Sequence, residues 1–398
     1  MHISPLLIVI LALIGALGAP DIILGVQPAQ AQAGKKGGPG ALTPLAESAM
    51  SPLIDTHAHL DFTRFADYSA TLDGLIKTMD DFKVEKTILM PTPQGGIVGQ
   101  KMHDFPQLLP ALQKYPGRIM LMAGPGAFGE LYFQKAAAAI TDADREVFRL
   151  KAEALAQLPI VGFGEIGIVH MSIPIMGPQH PYEAVPADHP LLLMLSDIAA
   201  SHDLAIDIHF DLVPRDMDLP PQLVNPSAQH PNPSRLTQNQ EGLERFLAHN
   251  RKTKIVWAHV GGEPLATRTP AVVRDLLTRN PNLYMSFRIQ RMRPEIAADA
   301  LSPQGTLKPD WVRVISDFPD RFVMGTDTFY QDGPQARGGD AVGLANLQRL
   351  LAQLPPDVAR KVAYSNIAQI YRPTTAAPMP PAVELPGSNS LRNAGKKG

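Results

Sequence analysis

KIVWAHV, residues 254–260, is apolar from its second residue until a histidine at position 259. An unbroken apolar run of this length reads as a strand covered on both faces, because a half-exposed strand would alternate. Seven more runs share the pattern: PLIDTH (52–57), KTILMPT (86–92), RIMLMAG (118–124), IVGFGEIGI (160–168), LAIDIHF (204–210), LYMSF (283–287) and RFVMGTD (321–327). Helical patterns are read near 69–82, 103–115, 142–158, 189–202, 238–250, 270–280, 308–318 and 340–353, and a last amphipathic stretch covers 357–371. Strands alternating with helices predict a parallel sheet, and eight such units predict an α/β fold closed as a (β/α)8 TIM barrel. An open doubly wound sheet would carry a Gly-rich phosphate turn after its first strand, whereas this first strand runs into histidines. Two Pro-rich insertions, 169–188 after strand 4 and 212–237 after strand 5, are expected over the barrel mouth.

The 398 residues carry 36 Lys+Arg against 38 Asp+Glu, a net charge of −2, which argues against nucleic acid or an anionic membrane as partner. The apolar share of 45% is too high for a disordered chain. There is no cysteine, which excludes disulfides, thiolate zinc sites, cysteine nucleophiles and lipidated cysteine anchors. Residues 5–18 form one apolar run, too short for a membrane span, and Ala31-Gln32-Ala33 follows as a small-x-small cleavage pattern. The expected organisation is a signal peptide at 1–33, a flexible leader at 34–50, the barrel at 51–372 and a disordered tail at 373–398. The mature chain is then exported, periplasmic or extracellular, with no stable membrane insertion.

Asp55-Thr56-His57-Ala58-His59 sits at the end of the first strand. Residues i and i+2 of a strand face one way, so both imidazoles point into the mouth. Four more ionisable groups stand at the carboxy-terminal ends of apolar runs: Glu165, His209, His259 and Asp327. An ionisable group in a buried strand is costly unless it is paired or metal-bound. Imidazoles with carboxylates form a nitrogen and oxygen donor set suited to zinc, manganese, iron or cobalt. Arg288, Arg291 and Arg293 follow strand 7, and Arg288 is the candidate for binding a substrate carboxylate, with a solvated or ion-paired loop arginine as the alternative. His170, His180 and His189 fall in the strand 4 insertion and are expected as exposed loop residues, with one of them lining the pocket as the alternative, and Trp257 is expected as barrel core. Asp61, Asp207 and Asp211 are alternative partners for orienting metal-bound histidines.

With its ordered set of His57-x-His59, Glu165, His209, His259 and Asp327, and the closing Tyr364-Ser365-Asn366-Ile367-Ala368-Gln369-Ile370-Tyr371, the chain resembles the amidohydrolase superfamily of metal-dependent barrels, and most the amidohydrolase-related branch. The resemblance covers roughly 52–372. It implies that His57, His59 and Asp327 bind one divalent ion, and that His209 binds the same ion or its neighbour. Glu165 takes the bridging position that a carbamylated lysine fills in many members, and His259 is a ligand or an orienting electrophile. The ions implied are Zn2+ first and Mn2+ second, one or two per chain, with Asp327 as proton shuttle. The implied activity is hydrolysis of a small molecule; a decarboxylase or hydratase of the same branch is the alternative, and a non-catalytic binding protein a third.

Overall fold

The computed structural model describes residues 52–60, 69–94, 103–178, 180–289, 296, 298–331 and 342–371. The expected signal segment, leader and tail, together with Asp61, Arg291 and Arg293, lie outside the described residues.

Eight strand regions follow one another in the order of the apolar runs: β1 (Leu53–Leu60), β2 (Val84–Leu89), β3 (Ile119–Ala123), β4 (Gly162–His170), β5 (Ala205–Phe210), β6 (Lys254–Val260), β7 (Leu283–Phe287) and β8 (Phe322–Met324). A ninth short strand, β9 (Thr328–Tyr330), continues β8 after a three-residue break. Each neighbouring pair is parallel. The ring closes through the interrupted eighth strand, because β8 pairs with β7 while β9 pairs with β1 through Ala58↔Thr328. The fold is therefore a (β/α)8 barrel, with active chemistry expected at the carboxy-terminal ends of its strands.

Among the described residues one helix follows each of the eight strand regions, with an extra one after β3: α1 (Ser69–Asp81), α2 (Phe105–Lys114), α3 (Pro125–Phe133), α4 (Asp142–Ala156), α5 (Pro190–Ser201), α6 (Gln240–His249), α7 (Pro270–Arg279), α8 (Pro309–Asp317) and α9 (Val342–Leu351), and short helical segments at Pro356–Arg360, Lys361–Ser365 and Ile367–Ile370 come last. Local chemistry sets their starts. Asp104 and Gln107 form a capping box on α2, Thr141 and Asp144 another on α4, and Thr269 caps α7 just before Pro270. The sequence reading omits α3, whose PGAFGELYF carries two glycines of poor helix propensity. Those glycines serve packing: a Cβ on Gly126 would lie 2.1 Å from the His103 carbonyl oxygen, and one on Gly129 would lie 2.0 Å from that of Gln94.

Two apolar clusters hold the barrel. The larger packs strands against the helix ring. The smaller joins Ile54, Ile88, Met120, Val161, Ala205, Val256 and Val323. Residues from so many strand regions meet only inside the barrel. Ile367, Ile370 and Tyr371 join this inner cluster, so the last helical turns close the barrel floor. Trp257 is fully buried but belongs to the outer cluster, its indole N–H donating to the Phe210 carbonyl and its ring under the Arg268 guanidinium.

The two insertions are not independent loops. Glu183–Ala184 adds an antiparallel pair to the end of β4, and Met217–Asp218 pairs with Arg235–Leu236. Asn232 then ties the second to the first, accepting from the Ser172 N–H at 2.8 Å and donating to the Ser172 carbonyl at 2.8 Å. No described helix is long and apolar enough to cross a membrane.

Candidate metal centre

His57 and His59 sit on β1, Glu165 on β4, His209 on β5, His259 on β6, and Asp327 in the break between β8 and β9. All six are buried. Bulges help to aim them: the β1–β2 register shifts between Asp55 and Ala58, and the β4–β5 register shifts between Phe163 and Ile166. His259 and Asp327 hold φ of 66° and 52°, a region that costs non-glycine residues about 1–3 kcal/mol each. Gly325 makes room beside them, since a Cβ there would lie 2.6 Å from His57 Cβ.

The side chains converge on two adjoining points. Around the first, His57 Nε2 and His59 Nε2 stand 3.1 Å apart, and Glu165 Oε2 lies 3.3 Å from His57 Nε2 and 3.4 Å from His59 Nε2. Asp327 Oδ1 is 3.1 Å from His59 Nε2 and 3.9 Å from His57 Nε2. Around the second, Glu165 Oε1 lies 2.6 Å from His209 Nδ1 and 3.4 Å from His259 Nε2. The two oxygens of Glu165 thus face separate donor groups. Asp327 Oδ2 also reaches toward His259 Nε2 at 3.6 Å and lies 2.7 Å from Arg288 Nε.

Do these residues fit a divalent ion? Ligand atoms at about 2.1 Å from a tetrahedral ion stand about 3.4 Å from one another. The separations of 3.1–3.4 Å among the two imidazole nitrogens and Glu165 Oε2 match that edge. Ring tautomers agree as well. His59 Nδ1 lies 2.9 Å from the Met90 carbonyl, which can only accept, so Nδ1 carries the proton and the Nε2 lone pair faces the centre. His259 Nε2 is buried with no hydrogen-bond partner. These residues fit a metal, as two groups sharing Glu165.

The charge balance points the same way. Burial opposes ionisation of Glu165, yet the neighbouring His57, His259 and His209, with His57 foremost, hold it well below its ordinary range. Burial likewise opposes Asp327, and Arg288 and His259 hold it ionised. Against its own burial, His57 is raised well above its ordinary value by Asp207 and Glu165, and His209 is pushed to about 9 by Glu165 and Asp211. His57 and His209 therefore hold protons against these carboxylates. A divalent ion would displace those protons.

The family comparison bears on the second half of the barrel, where residues 179–372 match the model of a known family. That family is the amidohydrolases. The amidohydrolase match spans β5 to β9 and so includes His209, His259, Arg288 and Asp327, while His57, His59 and Glu165 precede it. Three solved structures are similar in outline. A phosphotriesterase homology protein from Escherichia coli, with phosphate in its active site, is 12% identical over 82% of this chain and 100% of its own, with a TM-score of 0.46. A dihydroxybenzoic acid decarboxylase from Polaromonas, with manganese and 2-nitroresorcinol bound, is 12% identical over 81% and 97%, with a TM-score of 0.44. An amidohydrolase from Burkholderia multivorans with bound zinc is 13% identical over 80% and 99%, with a TM-score of 0.41. None of these is similar enough to transfer a reaction. Among curated proteins, none matches this chain.

Arg288, expected to face a substrate, is held against Asp327, and its side chain is 18% exposed. His170 and His180 are not the exposed loop residues expected. His170 meets His209 edge to face with ring centres 4.5 Å apart, and His180 lies tilted against His170 at 4.4 Å. Burial and the charge of His209 lower both, His180 to about 4, so both are neutral at pH 7. Their seat follows from the pairing of the strand 4 insertion with β4, a contact that loop composition does not encode. His189 is not exposed either: it is buried and caps α5, its Nδ1 accepting from the Leu191 N–H.

Proposed function

We propose that the protein is a metal-dependent hydrolase of a small molecule of the lactone, amide or ester type. The carrying observation is the division of Glu165 between two donor groups, Oε2 toward His57 and His59 and Oε1 toward His209 and His259. A carboxylate so divided supports a pair of divalent ions, Zn2+ first by its borderline nitrogen and oxygen donors and Mn2+ second. His57, His59, Glu165 and Asp327 would hold one ion; Glu165, His209 and His259 would hold the other. Such ions, when bound, lower the pKa of water toward neutrality and polarise a carbonyl.

The chain's own groups do the rest. Asp327, kept ionised beside Arg288, accepts a proton from the attacking water and returns it to the leaving group. His259 is lowered well below its ordinary value, chiefly by burial, and stays neutral, as a ligand to the second ion must; in a one-ion site the same neutral imidazole would orient the substrate carbonyl instead. Arg288, whose Nε lies on Asp327, is the group that would bind a substrate carboxylate. The same reading takes an exported protein with a small molecule, rather than nucleic acid or membrane, as its partner.

The test is a panel of lactones, amides, esters and aromatic carboxylates, run on chelated protein and again after reloading with Zn2+ or Mn2+. Hydrolysis is expected to vanish on chelation and return on reloading, with no carbon dioxide released. Arg288→Ala should raise KM about 10-fold or more further for carboxylated members than for neutral ones, on top of any loss through Asp327 that all members share. Carbon dioxide release from the carboxylates without hydrolysis would make the protein a lyase.

A further inference from the structure

Strand β5 and the residue after it read Ala205-Ile206-Asp207-Ile208-His209-Phe210-Asp211. Period 2 along a strand places 207, 209 and 211 on one face. Isoleucines and a phenylalanine fill the other, and they pack in the outer cluster. So a buried carboxylate stands on each side of the histidine that reaches Glu165.

Each carboxylate faces the back of a different imidazole. Asp207 Oδ1 lies 3.3 Å from His57 Nδ1, while His57 Nε2 points at His59 and Glu165. Asp207 is fully buried, and neither of its oxygens nor His57 Nδ1 has a hydrogen-bond partner. A carboxylate buried without any donor is costly. The one imidazole nitrogen beside it is the group whose proton would relieve that cost. Gly164 makes the approach possible, since a Cβ on it would lie 2.8 Å from Asp207 Cβ. Asp211 Oδ2 lies 3.5 Å from His209 Nε2, while His209 Nδ1 points at Glu165 Oε1. Asp211 is held in place by the Met171 N–H at 2.8 Å and continues the β4 pairing through its own N–H to the Val169 carbonyl.

We infer that Asp207 and Asp211 are positioning residues for separate halves of the centre, Asp207 acting through His57 and Asp211 through His209. Each accepts the proton of the outward ring nitrogen and so leaves the inward one with its lone pair on the centre. His57 and His209 present opposite nitrogens inward, Nε2 and Nδ1, and β5 supplies one acceptor below and one above its own histidine to suit both. His59 needs neither, because the Met90 carbonyl does this for it. The inference rests on the two-ion reading of the centre and deepens it: the halves are separately tunable from one strand.

The experiment is metal binding by the chelated protein, with Zn2+ affinities read by chelator competition and ions per chain by elemental analysis. Asp207→Ala is expected to weaken one ion about 10–100-fold and leave the other at the wild-type value. Asp211→Ala should weaken the other ion in the same range. Asp207→Asn and Asp211→Asn, which keep the shape and an acceptor oxygen, should recover part of the loss. If either alanine variant fails to fold, its asparagine partner carries the test. Wild-type affinity for both ions in the Asp207 and Asp211 variants, or equal loss of both ions from each, overturns the inference. A wild-type chain that binds no metal overturns the two-ion reading instead.

Discussion

The proposed chemistry turns on Asp327. It lies within reach of His59, His57, His259 and Arg288, and its φ of 52° aims it inward from the break in the eighth strand. Asp327→Asn keeps the shape and one oxygen but cannot carry a proton. Metal is expected to stay largely bound while kcat falls about 100-fold or more, the usual worth of a positioned acid–base group. Steady-state kinetics beside elemental analysis checks this; a near-normal kcat would move the shuttle to Glu165 or His259. At this scale the sequence is highly legible. Ionisable residues that end continuous apolar runs stand out because burial makes them expensive. What the sequence leaves undecided is partnership. Asp207 and Asp211 can be named from it, but that one meets His57 and the other His209 depends on strand register. His170 and His180 read as loop residues because nothing local records that the insertion folds back on β4.

Elements were legible wherever one signal dominates. The apolar runs mark all eight strand regions, and caps or Pro at the first helical turn mark most helices. The reading fails where packing overrides propensity. RFVMGTD looks like one strand, yet the sheet breaks at Gly325 and resumes at Thr328. The break has a function, since it turns Asp327 inward and lets the backbone pass against His57. A Cβ at 325 would lie 2.5 Å from Ser286 Oγ and 2.6 Å from His57 Cβ. Ser286 can rotate, but His57 Cβ is fixed to its strand. Gly325→Ala is expected to cost about 1–3 kcal/mol in stability and to weaken metal binding by displacing His57. Urea unfolding and Zn2+ competition measure both, and an unchanged variant would show that the break tolerates a side chain.

On the scale of the whole molecule, the carboxy-terminal turns pack into the inner cluster of the barrel and the joined insertions extend the pairing of β4. Buried histidines make its stability depend on pH. His103 shows the effect. Burial and the nearby charge of His59 lower it to about 3, and its Nδ1 lies 3.0 Å from Gln94 Oε1. The unfolded chain takes up a proton there below about 6.5 and the native chain does not. The contribution is present above that pH and is lost as pH falls from 6.5 toward 3, by about 1.4 kcal/mol per unit. His103→Gln removes this titration. In urea unfolding of the metal-free protein, wild type should lose about 2 kcal/mol more than the variant between pH 7 and pH 5. Equal losses would mean that His103 is protonated in the fold.

The account turns on a carboxylate shared by two donor groups, and the direct measurement is the number of divalent ions bound per chain as chelated protein is titrated with Zn2+, with hydrolysis followed in the same samples. Two ions per chain are expected, with activity rising only as the pair fills and Glu165→Gln binding fewer. Full hydrolytic activity in a chain verified to hold no metal would contradict it.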